Sequence, residues 1–139
     1  MLFGLFSDKT AREARQLNKD APLILEQAQQ IFPPDRLRTM AETVAEYVEQ
    51  AHTRYGTATV DLMRAHQDYR GLHKEARRKN DQVALSAMTL VIIYLRAEIA
   101  GPPAQPARAA IDDFLKPWLF DGDAPDGVTG SADSEGDPS

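Results

Sequence analysis

The chain has 139 residues, no cysteine, and 21 acidic against 16 basic residues, giving a formal charge of −5. The missing cysteine excludes disulfides, thiolate zinc sites and cysteine nucleophiles, and it suits a reducing, cytoplasmic setting. Asp121, Asp123, Asp126, Asp133, Glu135 and Asp137 face no Lys or Arg beyond position 120, so the acidity belongs to the tail and the preceding body is near neutral.

The first residues, Met-Leu-Phe-Gly-Leu-Phe, lack the basic start and the long apolar run of a secretory signal. Thr10-Ala-Arg-Glu13 has capping-box spacing and predicts a short helix over 11–19. Asp20-Ala-Pro22 offers a second start, with proline in a first turn where no hydrogen bond is lost. Pro33-Pro34 stops that helix.

Asp35 opens the next helix, predicted to run to Tyr55. Its apolar residues Leu37, Ala41, Val44, Val48, Ala51 and Tyr55 repeat at spacings of four and three, the seam of a helix packed alongside a neighbour. Gly56 breaks the chain and Thr57 can cap the following helix, which runs to Lys79 with Leu62, Ala65, Tyr69, Leu72 and Ala76 on one side. Asn80-Asp81 offers a cap or a kink. The helix after it ends at Gly101-Pro102-Pro103. A last short helix, 107–115, carries Ile111, Phe114 and Leu115. The Asp/Gly/Ser/Pro-rich remainder has too little apolar content to order itself.

The expected fold is therefore all-α. It is a small antiparallel helical bundle with about three long helices (35–55, 57–79, 81–100) and short terminal helices. Residues 1–120 form one domain, and 121–139 a disordered acidic tail. The run Val83–Leu95 is apolar almost all round. Gln82, Ser86, Thr89 and Arg96 form its single polar stripe, and Ile93 lies inside that stripe. At this length it falls short of the roughly 20 residues that span a bilayer, so no stable membrane insertion is expected. Such a helix has to be covered by the rest of the bundle or by a second copy.

His52, His66 and His73 lie within 22 residues. At a 1.5 Å rise they are spread too far along the helices to converge on one ion, so no metal site is expected. Glu49-Gln-Ala-His52 matches one Glu-x-x-His element of a di-iron bundle, but such a site needs two, with two further glutamates. No phosphate loop, dinucleotide fingerprint or nucleophile elbow appears, and no cofactor is expected. No acid is marked out as catalytic by apolar surroundings; Glu98, at the end of the apolar helix, is the one acid to watch.

Arg70, Lys74, Arg77 and Arg78 fall on one face of the helix 57–79. Phosphate binding is one use of such a face. Neutralisation by acids of the preceding helix, Glu42 against Arg70 and Glu46 against His66, is the other. The leading functional expectation is a non-enzymatic protein-interaction module, an adaptor or regulatory subunit that self-associates into a homo-oligomer in the cytoplasm. Its interface would include Ile93, Ser86, Thr89 and Trp118. The alternative is a helical nucleic-acid-binding subunit using Arg70, Lys74, Arg77 and Arg78. A third expectation is a small-ligand pocket lined by Ser86, Ala87 and Thr89. Two apolar clusters, Leu2, Phe3, Leu5, Phe6 and Trp118, Leu119, Phe120, are expected to pack against the bundle or dock a partner.

Overall fold

The computed structural model describes residues 2–119, with side chains from Lys9 onward. The acidic tail 121–139, Phe120 and the side chains of the first apolar cluster lie outside the described residues. Five α-helices make up the fold: α1 (Leu2–Ile31), α2 (Pro34–Gln50), α3 (Thr59–Arg78), α4 (Gln82–Ala100) and α5 (Gln105–Leu119). A π-helical turn, Ala51–Tyr55, continues α2, and a 3-10 turn, Pro102–Ala104, precedes α5. No strand occurs among the described residues.

Residues 2–31 correct the sequence reading, because they form one 30-residue helix and not two short ones. Ala14, Leu17, Ala21, Leu25 and Ala28 keep one unbroken buried stripe through both local start signals. Continuous burial outweighs local capping preference, since most helical stability in proteins comes from packing. Pro22 forgoes one backbone bond and stands on the exposed side of the helix.

Helix α4 is the axis of the fold. Ala87, Leu90, Val91, Leu95 and Ala97 are fully buried, and Val83, Met88, Ile93 and Tyr94 nearly so. Burying each large apolar side chain contributes about 1.5–3 kcal/mol. Helices α1, α2, α3 and α5 all pack on α4. The helix is set by its ends. Asp81 accepts a hydrogen bond from the Ala84 amide at 3.1 Å, after Asn80 turns the chain at φ +56°. At the other end Gly101, at φ +84°, bonds its N–H to the Ala97 carbonyl. The helix extends to Ala100, five residues past the apolar run. At 19 residues it is long and apolar enough to cross a membrane by length and composition alone, which corrects the length argument made from 83–95. Half of its apolar window is buried inside the fold.

Around this axis the other helices close three sides. Helix α5 bridges α1 and α2. Asn18 fastens it by donating to the Pro103 carbonyl and accepting from the Ala107 amide, both at 2.9 Å. Helices α2 and α3 meet through the π turn and an aromatic cluster, in which Tyr69 stands edge-on to both Tyr47 and Tyr55. Helices α1 and α3 pack on α4 but scarcely touch each other. That seam is where the fold stays open.

Candidate functional site

The open seam forms a cleft of about 790 Å³. Thr89, Ile92, Ile93 and Arg96 of α4 make its floor. Asp20 and Ile24 of α1 form one wall; His66, Arg70, His73, Lys74 and Arg77 of α3 form the other. Its volume lies within the range of ordinary ligand sites.

Helical spacing explains the basic wall. Arg70, Lys74 and Arg77 stand at i, i+4 and i+7, close to one line along α3. His66 and His73 sit one step nearer the core, half-buried. The neutralisation expected from α2 is absent: among the described residues no carboxylate pairs with Arg70, Lys74 or Arg77. The reason is architectural, since α2 and α3 are joined at the π turn and the tyrosines, while the basic face turns toward α1.

One end of the cleft is fixed by Arg96. Its Nε and Nη2 both donate to Oε2 of Glu13 on α1, at 2.9 and 2.5 Å. Burial, with the cations of Arg96 and Arg70 nearby, pushes the pKa of His66 down, and Glu13 opposes this only in part. His73 is pushed down by burial and by Arg77. Both rings are thus held toward the neutral form. Thr89 donates its hydroxyl to the Leu85 carbonyl at 2.8 Å and lies 3.1 Å from His73 Nε2. With the hydroxyl proton engaged, His73 Nε2 must be the donor, which leaves Nδ1 as an acceptor.

Two sets of residues singled out separately in the sequence meet here. Thr89 and Ile93, expected at a self-association surface, form the floor, and Arg70, Lys74 and Arg77, expected on a nucleic-acid face, form the wall. Ile93 is 7% exposed, so a single chain already covers it. Of the two covers expected for α4, the bundle itself supplies the one over Ile93. The other expected residues go elsewhere. Arg78 turns away to Glu75, with Nη2–Oε2 at 2.5 Å. Ser86 is half-buried but does not line the cleft. Ala87 is fully buried, so it lines no pocket with Ser86 and Thr89. Trp118 is half-buried on α5, with the Arg38 guanidinium 5.4 Å above its ring.

Among the described residues no three His, Asp or Glu side chains gather as metal ligands. His52 is occupied by Glu98, with Nε2 at 2.8 and 2.9 Å from its two oxygens, while His66 and His73 line the cleft. Asp20 and Ile24, which line the cleft, and Glu13, which holds Arg96, were not expected at a functional site; Glu13 and Asp20 read in the sequence only as helix-start signals. Their part depends on α1 lying across α4, and no local signal encodes that. No family model, curated protein sequence or solved structure matches the chain.

Proposed function

We propose that the chain is a non-enzymatic interaction module, an adaptor or regulatory subunit, that holds an anionic segment of a protein partner in the cleft between α1 and α3. The observation carrying this reading is the uncompensated wall of Arg70, Lys74 and Arg77 above an apolar floor. At the C-terminal end of α3 the bases are answered from within: Arg78 and the capping residue Lys79 both pair with Glu75. Like charges four apart on a helix are destabilising, so an unanswered pair such as Arg70 and Lys74 suits a surface that meets its counter-charge from outside. Alternating directions of α2, α3 and α4, an antiparallel bundle, would give the cleft a rigid backing. The cysteine-free sequence supports the cytoplasm as the site of action.

The test is affinity purification from the native cell with the wild-type chain and an Arg70→Gln/Lys74→Gln/Arg77→Gln variant, checked for folding by circular dichroism. Partners retained by the wild type and lost by the variant are expected. An identical set of partners from both would refute the cleft as the binding surface.

The unpaired basic wall also favours a second reading, a nucleic-acid-binding subunit. Retention of RNA or DNA at low salt, falling steeply as salt rises, would support it; absence of any complex at about 50 mM salt would end it.

A further inference from the structure

The charge balance of the cleft narrows what it takes. Its lining holds four cations, Arg70, Lys74, Arg77 and Arg96, and one carboxylate, Asp20. Glu13 is already bonded to Arg96. Four cations less two carboxylates leave a formal charge of +2, with both histidines uncharged. A single carboxylate from a partner would leave half of this unanswered. A phosphorylated side chain carries about −1.5 to −2 at neutral pH, with three strong acceptor oxygens, and matches it.

The donors are suited to such a group. Arg70, Lys74 and Arg77 rise about 6 Å and then about 4.5 Å along the helix, so their long side chains can converge from one wall on one tetrahedral group. Arginine forks suit phosphoryl oxygens in particular. His73 keeps its Nδ1 lone pair, because Nε2 is directed to Thr89, and can take up a proton beside a bound anion. Ile24, Ile92 and Ile93 offer an apolar surface next to these donors, suited to the side chains flanking the charge.

We infer that the cleft is a site for a phosphoryl dianion carried on an apolar body, and that its source is a phosphorylated side chain of the partner protein. The inference rests on the reading of the cleft as a partner-binding surface and adds the chemical group recognised.

The test uses the full chain and its three histidines as reporters. His66 and His73 line the cleft, whereas His52 is held by Glu98 elsewhere and serves as an internal control. Histidine ring resonances are followed by NMR at neutral pH and constant ionic strength during titration with inorganic phosphate, phenyl phosphate and benzoate. Phosphate should shift His66 and His73 saturably at millimolar concentration while His52 stays still. Phenyl phosphate should reach half-saturation at lower concentration, because its ring covers the isoleucine floor. The Arg70→Gln/Lys74→Gln/Arg77→Gln variant should weaken both by about tenfold or more.

Equal shifts with benzoate would overturn the phosphoryl assignment and leave an acidic partner standing. No shift with either phosphate would overturn the inference, while the purification experiment would still decide the interaction reading separately. A synthetic peptide with one phosphoserine between apolar residues should compete with phenyl phosphate. Failure of that peptide, with phenyl phosphate binding, would overturn the protein source in favour of a free or lipid-borne phosphate.

Discussion

His52 Nε2 lies 2.8 and 2.9 Å from the two carboxylate oxygens of Glu98, joining the π turn after α2 to the last turn of α4, 46 positions later. The Glu98 side chain is 14% exposed and that of His52 30%, so neither is fully served by water. His52→Ala should cost about 1–3 kcal/mol, because it leaves a largely buried carboxylate without its donor. Urea unfolding would measure it, and a change within error would show that water replaces the imidazole there.

Ile93 gives a second prediction. At 7% exposure it is covered within one chain, so Ile93→Asp should lower stability by several kcal/mol, through lost apolar burial and desolvation of a carboxylate that the cleft's cations offset only in part. A folded variant that differs only in oligomeric state by light scattering would contradict this placement.

Leu95→Ala, at the centre of the α4 core, should cost about 2–5 kcal/mol through lost burial and a residual cavity. The same truncation at Leu23, which is 48% exposed, should stay within about 0.5 kcal/mol. Chemical denaturation of the two variants side by side tests the assignment of faces on α1 and α4.

The pH dependence of stability follows from His66 and His73. Both have folded-state pKa values below the ordinary 6.5. The unfolded chain therefore takes up protons first as pH falls. Their contribution is fully present above 6.5 and is lost as pH drops from there through the depressed values. His66→Gln with His73→Gln should flatten the decline in unfolding free energy over that window. An unchanged slope would assign it to carboxylates instead.

Asn18 is the polar link from α1 to the start of α5. Asn18→Ala removes two hydrogen bonds and leaves the Ala107 amide, in the first turn of α5, without its acceptor. A loss of about 1–2 kcal/mol is expected, as for removal of a helix cap. Faster amide exchange at Ala107, with α4 amides unchanged, would be the local signature.

Much of the all-helical organisation was legible because its punctuation is local. Gly56, Asp81 and Gly101 mark breaks that the chain obeys, each through its own backbone or side chain. The central apolar helix was visible because its polar residues make only one narrow stripe. Two things were not legible. The union of 11–19 with 22–31 into α1 depends on α4 and α5 burying Ala14 through Ala28 in one stripe, which no window of local residues reveals. The cleft likewise depends on which neighbour α3 turns its bases toward. Expecting Glu42 and Glu46 to neutralise them assumed that sequence neighbours pack along their whole length, whereas α2 and α3 meet only near the π turn and its tyrosines. Asn18 reads locally as an ordinary helical polar residue; its partners lie 85 and 89 positions away.

The seam between α1 and α3 leaves one side of α4 without a packed neighbour helix across it. Three sides of α4 are locked by interdigitated side chains, which resist displacement. The fourth is bridged at one end by Arg96 and Glu13, a pair about 40% exposed on each side and so sensitive to salt. Both walls stand on α4, and the ion pair ties α1 to that floor, so salt acts on the Glu13 end of the cleft and leaves the apolar packing beneath it untouched.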